Sequence, residues 1–321
     1  MNKRRGEQGM ALLLVLVVVA LLTSLLTDLA YSTLVDMRLT ETFRDKTKAY
    51  YLAKGGIKAG RMILKIDDNQ YDSLKEPWSQ GVISYPVGQG SVSIFILDQD
   101  GRLNINGLVR GDNPQAVMVD RFYRFLVAMD LGEKFEPAEL TAALIDWLDT
   151  GDVPYTEIRT DEQSLPVAGA EDVYYQSLSP AYSCKNGPLE TLQELTLIKG
   201  FTPELVEKIS PYLTVNNVSA VNINTASIEV LMSLDLKIDR EVAKKIVDFR
   251  ETESIKNIVQ LEDAFEPDIY AVLKTLANLK QLDTKSNIYV IEAYAYVNDG
   301  AQRLVAEVNK SNDKLLFFRV N

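Results

Sequence analysis

MALLLVLVVVALLTSLLT, residues Met10–Thr27, contains no charged side chain. As a helix it spans about 27 Å, close to the roughly 30 Å of a bilayer's hydrocarbon core. A backbone in lipid must satisfy its own polar groups, and a helix does so. The preceding stretch MNKRRGEQG carries Lys3, Arg4 and Arg5. The positive-inside rule therefore places this end in the cytoplasm and the chain beyond Asp28 across the membrane. The next segment, DLAYSTLVDMRLTETFRDK, is polar but keeps a helical rhythm through Leu29, Leu34, Val35, Leu39 and Phe43. A secretory signal would instead end at a small-residue cleavage site. No Pro or Gly lies between Met10 and Lys54. The pattern predicts one helix from Met10 to about Ile66, roughly 85 Å long.

The whole-chain composition excludes several chemistries. Among 321 residues there is no histidine and one cysteine, Cys184. That rules out Ser-His-Asp and Cys-His catalysis, His-ligated zinc, an internal disulfide and a four-cysteine metal site. With 45 acidic and 34 basic side chains the net charge is -11. Such a balance disfavours nucleic acid, whose binding rests on phosphate neutralisation, and favours cations. Cys184 reads as a free loop thiol, and Trp78 and Trp147 as packing residues. Tyr289, Tyr294 and Tyr296 read as sheet faces.

SVSIFILD (Ser91–Asp98) alternates and is β-branched, so it reads as a strand; Asp100-Gly101 signals a turn, with Arg102–Asn106 as the hairpin partner. Three further strands are expected at Ile288–Val297, Gln302–Asn309 and Lys314–Val320, in an antiparallel meander. Between the two strand groups the pattern is helical: Ala116–Leu131 with inward Val119, Phe122, Tyr123, Leu126 and Val127, Pro137 to about Leu148, Leu189–Leu197, Pro203–Leu213, Ser227–Leu234, Arg240–Thr252 and Asp268–Lys280. The expected architecture is α+β: a long N-terminal helix, an antiparallel sheet split in sequence, and a large all-α domain inserted into it. The corresponding segments are 1–9 as leader, 10–66 as N-terminal helix with 10–27 in the membrane, 67–106 and 284–321 as the two parts of the sheet domain, and 107–283 as the insertion.

Two constellations lie in the insertion. From Leu144 to Tyr175 the chain holds Asp146, Asp149, Asp152, Glu157, Asp161, Glu162, Glu171 and Asp172 against one base, Arg159. Gly151, Pro154, Pro166 and Gly169 make most of it loop. Hard cations such as calcium take six to eight oxygens from such loops. Asp149-x-x-Asp152 with Gly169–Asp172 offers a cage, without the spacing of an EF-hand; a solvated acidic loop is the alternative. Paired carboxylates also serve glycosidases, but few aromatics flank this loop to line a sugar cleft.

The second constellation, Val221 to Phe265, opens with VNINTAS and resembles the helix–hairpin–helix units of DNA-uptake and repair proteins. Thr225 or Ala226 would start its first helix, burying Leu231 and Leu234; the second would carry Val242, Ala243, Ile246, Val247 and Phe249. Leu189–Ile209 looks like a divergent copy, and the module as a whole is SAM-like. The connecting Leu234–Asp239 has no glycine and two aspartates. That removes close backbone approach to phosphate and adds repulsion. A structural module is expected, with a membrane-tethered DNA-uptake protein as the rival reading and a tethered enzyme with an acidic site as a weaker one.

The basic leader ending at Gly9, with Met10 opening the apolar run, resembles the class III signal of type IV pilins and type II secretion pseudopilins. That resemblance implies cleavage between Gly9 and Met10 by a prepilin peptidase, then methylation of the new terminus. Leu14 stands at the fifth position after the cut, where most of that family carries a glutamate. A carboxylate in lipid is costly without a partner, so a subunit with no neighbour above it does better with leucine. This feature, the chain's length, the DWLD and GAEDVYY motifs and Asn186 are similar to the K-type minor pseudopilins of type II secretion systems. The resemblance spans nearly the whole chain. It implies a non-enzymatic subunit capping the pseudopilus tip in support of protein secretion. Implied partners are the I-type and J-type minor pseudopilins, other pseudopilins and the inner-membrane secretion platform, with no nucleic acid. The location implied is the inner membrane, with the bulk of the chain periplasmic. It also implies calcium in the helical domain, with Asp149, Asp152, Asp161, Glu171 and Asp172 the first candidates as ligands.

Overall fold

The computed structural model describes residues 3–159, 164–218 and 220–320. One helix, α1, runs unbroken from Lys3 to Ile66, so the helical path continues upstream of Met10. Its Met10–Ile66 part is long and apolar enough to cross a membrane. Residues Met10 to Arg44 are exposed on every side. The Thr23 and Thr27 hydroxyls donate to the carbonyls four residues back, at 2.7 and 2.8 Å. This hides them within the helix in the segment assigned to lipid.

Beyond Arg44 the same helix becomes one-sided, burying Ala49, Ala53, Ile57 and Leu64 against a five-stranded antiparallel sheet. Its strands are β1 (Val82–Val87), β2 (Gly90–Asp98), β3 (Ile288–Val297), β4 (Gly300–Asn309) and β5 (Lys314–Val320), adjacent in that order. Side chains alternate faces along each strand. Val92, Ile94 and Ile96, then Ile291, Ala293 and Ala295, then Leu304, Ala306 and Val308 form the α1-facing core. The contact is close because α1 presents Gly56 and Gly60 there. A Cβ at Gly56 would lie 2.9 Å from Val92 Cγ2, and one at Gly60 2.7 Å from Ile291 Cγ2.

β2 and β3 pair from Tyr289↔Asp98 to Val297↔Gly90. Residues 99–287 therefore leave and return at one end of a single strand pair. The hairpin expected at Arg102–Asn106 is corrected here. The hairpin partner of β2 is β1, which precedes it. Pro86 and the glycines around VISYPV read as turn signals, yet β1 is an edge strand, where a missing N–H is tolerated. Leu103–Asn104 pairs instead, in parallel, with Leu213–Thr214. Asp98 redirects the chain: its carboxylate accepts the N–H groups of Asp100 and Gly101 at 2.9 and 3.1 Å and the Thr225 hydroxyl. Asp100 in turn accepts the N–H groups of Asn287 and Ile288, where the chain re-enters the sheet.

The inserted body contains α2 (Ala116–Ala128), α3 (Pro137–Leu148), α4 (Asp172–Gln176), α5 (Pro203–Ile209), α6 (Ile228–Leu234), α7 (Arg240–Thr252) and α8 (Pro267–Asn278). They share one core around Phe122, Phe125, Leu144, Ile145, Leu231 and Leu273. Sequence and structure differ at some ends. Helix α2 stops at Ala128 because Asp130 (φ 46) and Gly132 (φ 79) adopt left-handed backbone. Its buried face includes Phe125, whereas Val127 is exposed. Leu192–Leu197 is a 3-10 turn with a Thr191/Glu194 capping box. Ser227, not Thr225 or Ala226, caps α6 by accepting the Val230 N–H.

Candidate metal centre

Helix α3 ends in LIDWLD. Its apolar residues lie in the core, and Asp146 is buried among them. Asp149 is the C-cap, and its Oδ1 accepts the Gly151 N–H at 2.9 Å. The loop after it returns to GAED, where Glu171 is the N-cap of α4. Asp146 ties both ends of that loop down: Oδ1 accepts the Tyr155 N–H at 2.9 Å and Oδ2 the Ala170 N–H at 2.5 Å. Carboxylate oxygens of Asp146, Asp149 and Glu171 then lie within 4.8 Å of one another, all three residues buried.

Two facts separate this cluster from a solvated acidic loop. Among the described residues, both Glu171 carboxylate oxygens and Asn186 Oδ1 are buried without a hydrogen-bond donor. Asn186 adopts a left-handed backbone (φ 49) and donates through Nδ2 to the Gly151 carbonyl at 3.2 Å. Buried acceptors without donors are rare and costly in a folded protein. The electrostatics agree. Burial, then the charges of Asp146, Asp149, Asp152 and Asp172, push the Glu171 carboxyl up to about 8. Burial pushes Asp146 up to about 6 against the opposing effect of its two backbone donors, and it also raises Asp149. Three crowded carboxylates cannot all stay ionised there without a countercharge. The donor set is all oxygen, which suits calcium or another hard divalent cation.

Of the candidate ligands, Asp149 and Glu171 are brought together. Asp172 is adjacent, but its Oδ1 accepts the Cys184 N–H at 2.6 Å. Asp152 is exposed and acts on Glu171 through its charge. Asp161 lies outside the described residues. Asp146 is central and Asn186 is tied to the Gly151 carbonyl beside it; neither was among the candidate ligands. The signal for Asp146 is a lone carboxylate inside an otherwise apolar helix end.

Elsewhere, Asp67, Asp72 and Glu76 also converge, but Lys310 already supplies the cation, with Nζ 2.8 Å from Asp67 and 2.5 Å from Asp72. In the α6–α7 connection, Asp235 accepts the Lys237 N–H and Asp239 caps α7 by accepting the Val242 N–H. Both aspartates of the supposed DNA hairpin are thus used in local structure. Met10 and Leu14 lie exposed on α1, and Gly9 falls within the same helix.

A membrane-length helix that continues onto an antiparallel sheet, with a helical body inserted between adjacent strands, defines a pilin-like protein with an added domain. Comparison with known proteins agrees. Two family models, both described as type II secretion system (T2SS), protein K, match residues 101–218 and 221–278, together more than half of the chain. The chain belongs to the type II secretion system protein K family. It is 28% identical to the type II secretion system protein K of Pseudomonas aeruginosa over 97% of this chain and 91% of that one. It is 26% identical to that of Aeromonas hydrophila, over 98% and 97%. Its fold is similar to a chain in the crystal structure of the GspK-GspI-GspJ complex from enterotoxigenic Escherichia coli, with a TM-score of 0.64 and 16% identity, covering 89% of this chain and 99% of that one.

Proposed function

We propose that this chain is the minor pseudopilin at the tip of the periplasmic pseudopilus, assembling there with I-type and J-type minor pseudopilins to support secretion across the outer membrane. The observation that carries the reading is α1. Its first part is exposed all around and suits either lipid or a bundle of like helices, while its second part is locked to the sheet. Before assembly, Met10–Thr27 holds the subunit in the inner membrane with the bulk of the chain in the periplasm. Prepilin peptidase cuts between Gly9 and Met10 and the new terminus is methylated. On engaging the inner-membrane platform, the same apolar surface packs among the helices of other pseudopilins. Leu14 needs no partner amine, which suits a subunit with nothing above it. The bulky insertion obstructs addition of a further subunit. No chemical step is needed for this role.

The insertion holds calcium through Asp146, Asp149, Glu171 and the Asn186 side-chain oxygen, with Asp152 and Asp172 at its edge. The cation neutralises carboxylates that burial would otherwise force to take up protons, and so fixes the loop between α3 and α4. It supplies structure rather than chemistry. The test is reconstitution of the full chain with I-type and J-type subunits in detergent. A stable ternary complex is expected; its absence under conditions where each subunit is folded overturns the tip role. Mass spectrometry after co-expression with a prepilin peptidase checks the cut before Met10.

A further inference from the structure

The sheet has two edges, and they differ. β1 is interrupted: its register shifts between Val82 and Tyr85, Ser84 takes a left-handed backbone (φ 49), and Pro86 lacks an N–H. Such an edge resists pairing. β5 has one register shift, where Leu316 lies unpaired between Leu315 and Phe317, but no proline and no left-handed residue within the strand. Among the described residues it pairs only with β4, and it reads KLLFFRV, with every residue exposed. Leu315, Leu316, Phe317, Phe318 and Val320 are each 37 to 48% exposed. An exposed apolar edge of this length is a template for another strand.

The register sorts its side chains. Leu315, Phe318 and Val320 pair with Val308, Ala306 and Leu304, and so point to the face that α1 covers elsewhere. Lys314, Phe317 and Arg319 pair with Asn309, Glu307 and Val305 and point to the opposite face. α1 packs on β2, β3 and β4, leaving the three apolar side chains of β5 exposed. Neither Lys314 nor Arg319 forms an ion pair among the described residues. A second copy is a poor occupant. Two β5 strands side by side would align four basic charges, and β1 of another copy offers a broken edge.

We propose that β5 is a docking edge for one strand of a neighbouring pilin-like subunit, apolar on its helix-facing side and bearing carboxylates on the other. The added strand extends the sheet through main-chain hydrogen bonds. Its carboxylates meet Lys314 and Arg319, and its own helix, lying on the same face as α1, covers Leu315, Phe318 and Val320. This rests on the pseudopilin reading above.

Amide hydrogen exchange of the full chain in detergent, alone and mixed with the I-type and J-type subunits, tests it. In the complex, exchange along β5 is expected to slow by about tenfold or more, with β1 unchanged. The double variant Lys314→Glu, Arg319→Glu lies on exposed positions. It is expected to weaken the complex by about tenfold at low salt while leaving the melting temperature of the free chain unchanged. If the complex forms with β5 exchanging as before, the docking edge is wrong and the tip role stands. If no complex forms, both fall. Pairing of the free chain with itself through β5 also overturns the proposal.

Discussion

Gly169 sits where the Asp146 carboxylate leaves no room for a side chain: a Cβ there would lie 2.9 Å from Asp146 Cγ and 2.7 Å from the Tyr155 nitrogen. The glycine of GAED and the first aspartate of DWLD are therefore one packing unit, although they are far apart in sequence. Gly169→Ala is expected to destabilise the chain by about 1–3 kcal/mol, the usual cost of overpacking a tight interior. Gly187→Ala, whose nearest neighbour atom would be 3.8 Å away, is the control and should change little. Thermal unfolding of the two variants side by side checks the difference.

Calcium is expected to raise the melting temperature of the full chain and chelator to lower it. A ligand at about 100 times its dissociation constant adds about 2.7 kcal/mol to the stability of the folded state. Glu171→Gln removes the charge but keeps the shape. It should therefore abolish most of the calcium response while leaving the calcium-free protein about as stable as the wild type, because without calcium the Glu171 carboxyl, raised to about 8, is already largely neutral at pH 7. A calcium response unchanged in Glu171→Gln would place the ion elsewhere.

Asp100 provides a pH dependence away from that cluster. Burial, then the neighbouring Asp98 charge, push its carboxyl up from 3.8 to about 7. Between those values the folded chain holds a proton that the unfolded chain has released. This group's contribution is therefore complete below about pH 4 and lost as pH rises through 7. Asp98 is shifted in the same direction, by burial. Asp100→Asn forfeits one of the two backbone bonds to Asn287 and Ile288, about 1 kcal/mol, but no longer titrates. In saturating calcium the variant should lie below the wild type at pH 5, with the gap narrowing by pH 8. Melting curves across that range decide it; a constant gap would mean that Asp100 is ionised throughout.

Lys310 joins the end of β4 to the loop after α1 by bonding Asp67 and the fully buried Asp72. Lys310→Met removes the cation beside the Asp72 carboxylate, which keeps the Ser286 N–H at 2.8 Å. Breaking one side of a buried ion pair typically costs about 3–5 kcal/mol. Chemical denaturation is expected to show a loss of that size, and the double change Lys310→Met with Asp72→Asn should recover part of it.

How much of this was legible in the sequence follows the range of each signal. α1 declared its course from Met10 and its end at Ile66, though not its start upstream at Lys3, because charge, apolar run and missing breakers are all local. The same local signals gave α3, α7, β3 and β5, and β4 apart from its first two residues. β1 was missed because Pro86 reads as a turn locally and is explained only by its place at a sheet edge. The 3-10 turn at Leu192–Leu197 was read as a helix because its apolar spacing suits both. At the candidate metal site the acidic segment and its two ends were visible. The role of Asp146 was not, because it depends on Tyr155 and Ala170 turning their N–H groups toward it. Asn186 is tied to the Gly151 carbonyl beside the cluster while in a left-handed backbone, which its sequence does not announce.

The α1 glycines give the last expectation. Gly55, Gly56 and Gly60 stand within two turns of one another, and glycine inside a helix costs about 1 kcal/mol relative to alanine. They do not serve the same purpose. Nothing lies within 4 Å of a Cβ on Gly55, whereas Gly56 and Gly60 meet Val92, Ala293 and Ile291 of the sheet. Gly55→Ala should therefore stabilise the full chain by up to about 1 kcal/mol. Gly56→Val or Gly60→Val would push α1 off β2 and β3, at about 1–3 kcal/mol or more. Because the first half of α1 continues rigidly from this contact, the valine variants should also lose assembly with the partner subunits before they lose secondary structure. Circular dichroism read alongside complex formation checks this. A valine variant that is destabilised yet assembles normally would show that the angle between α1 and the sheet does not matter for assembly.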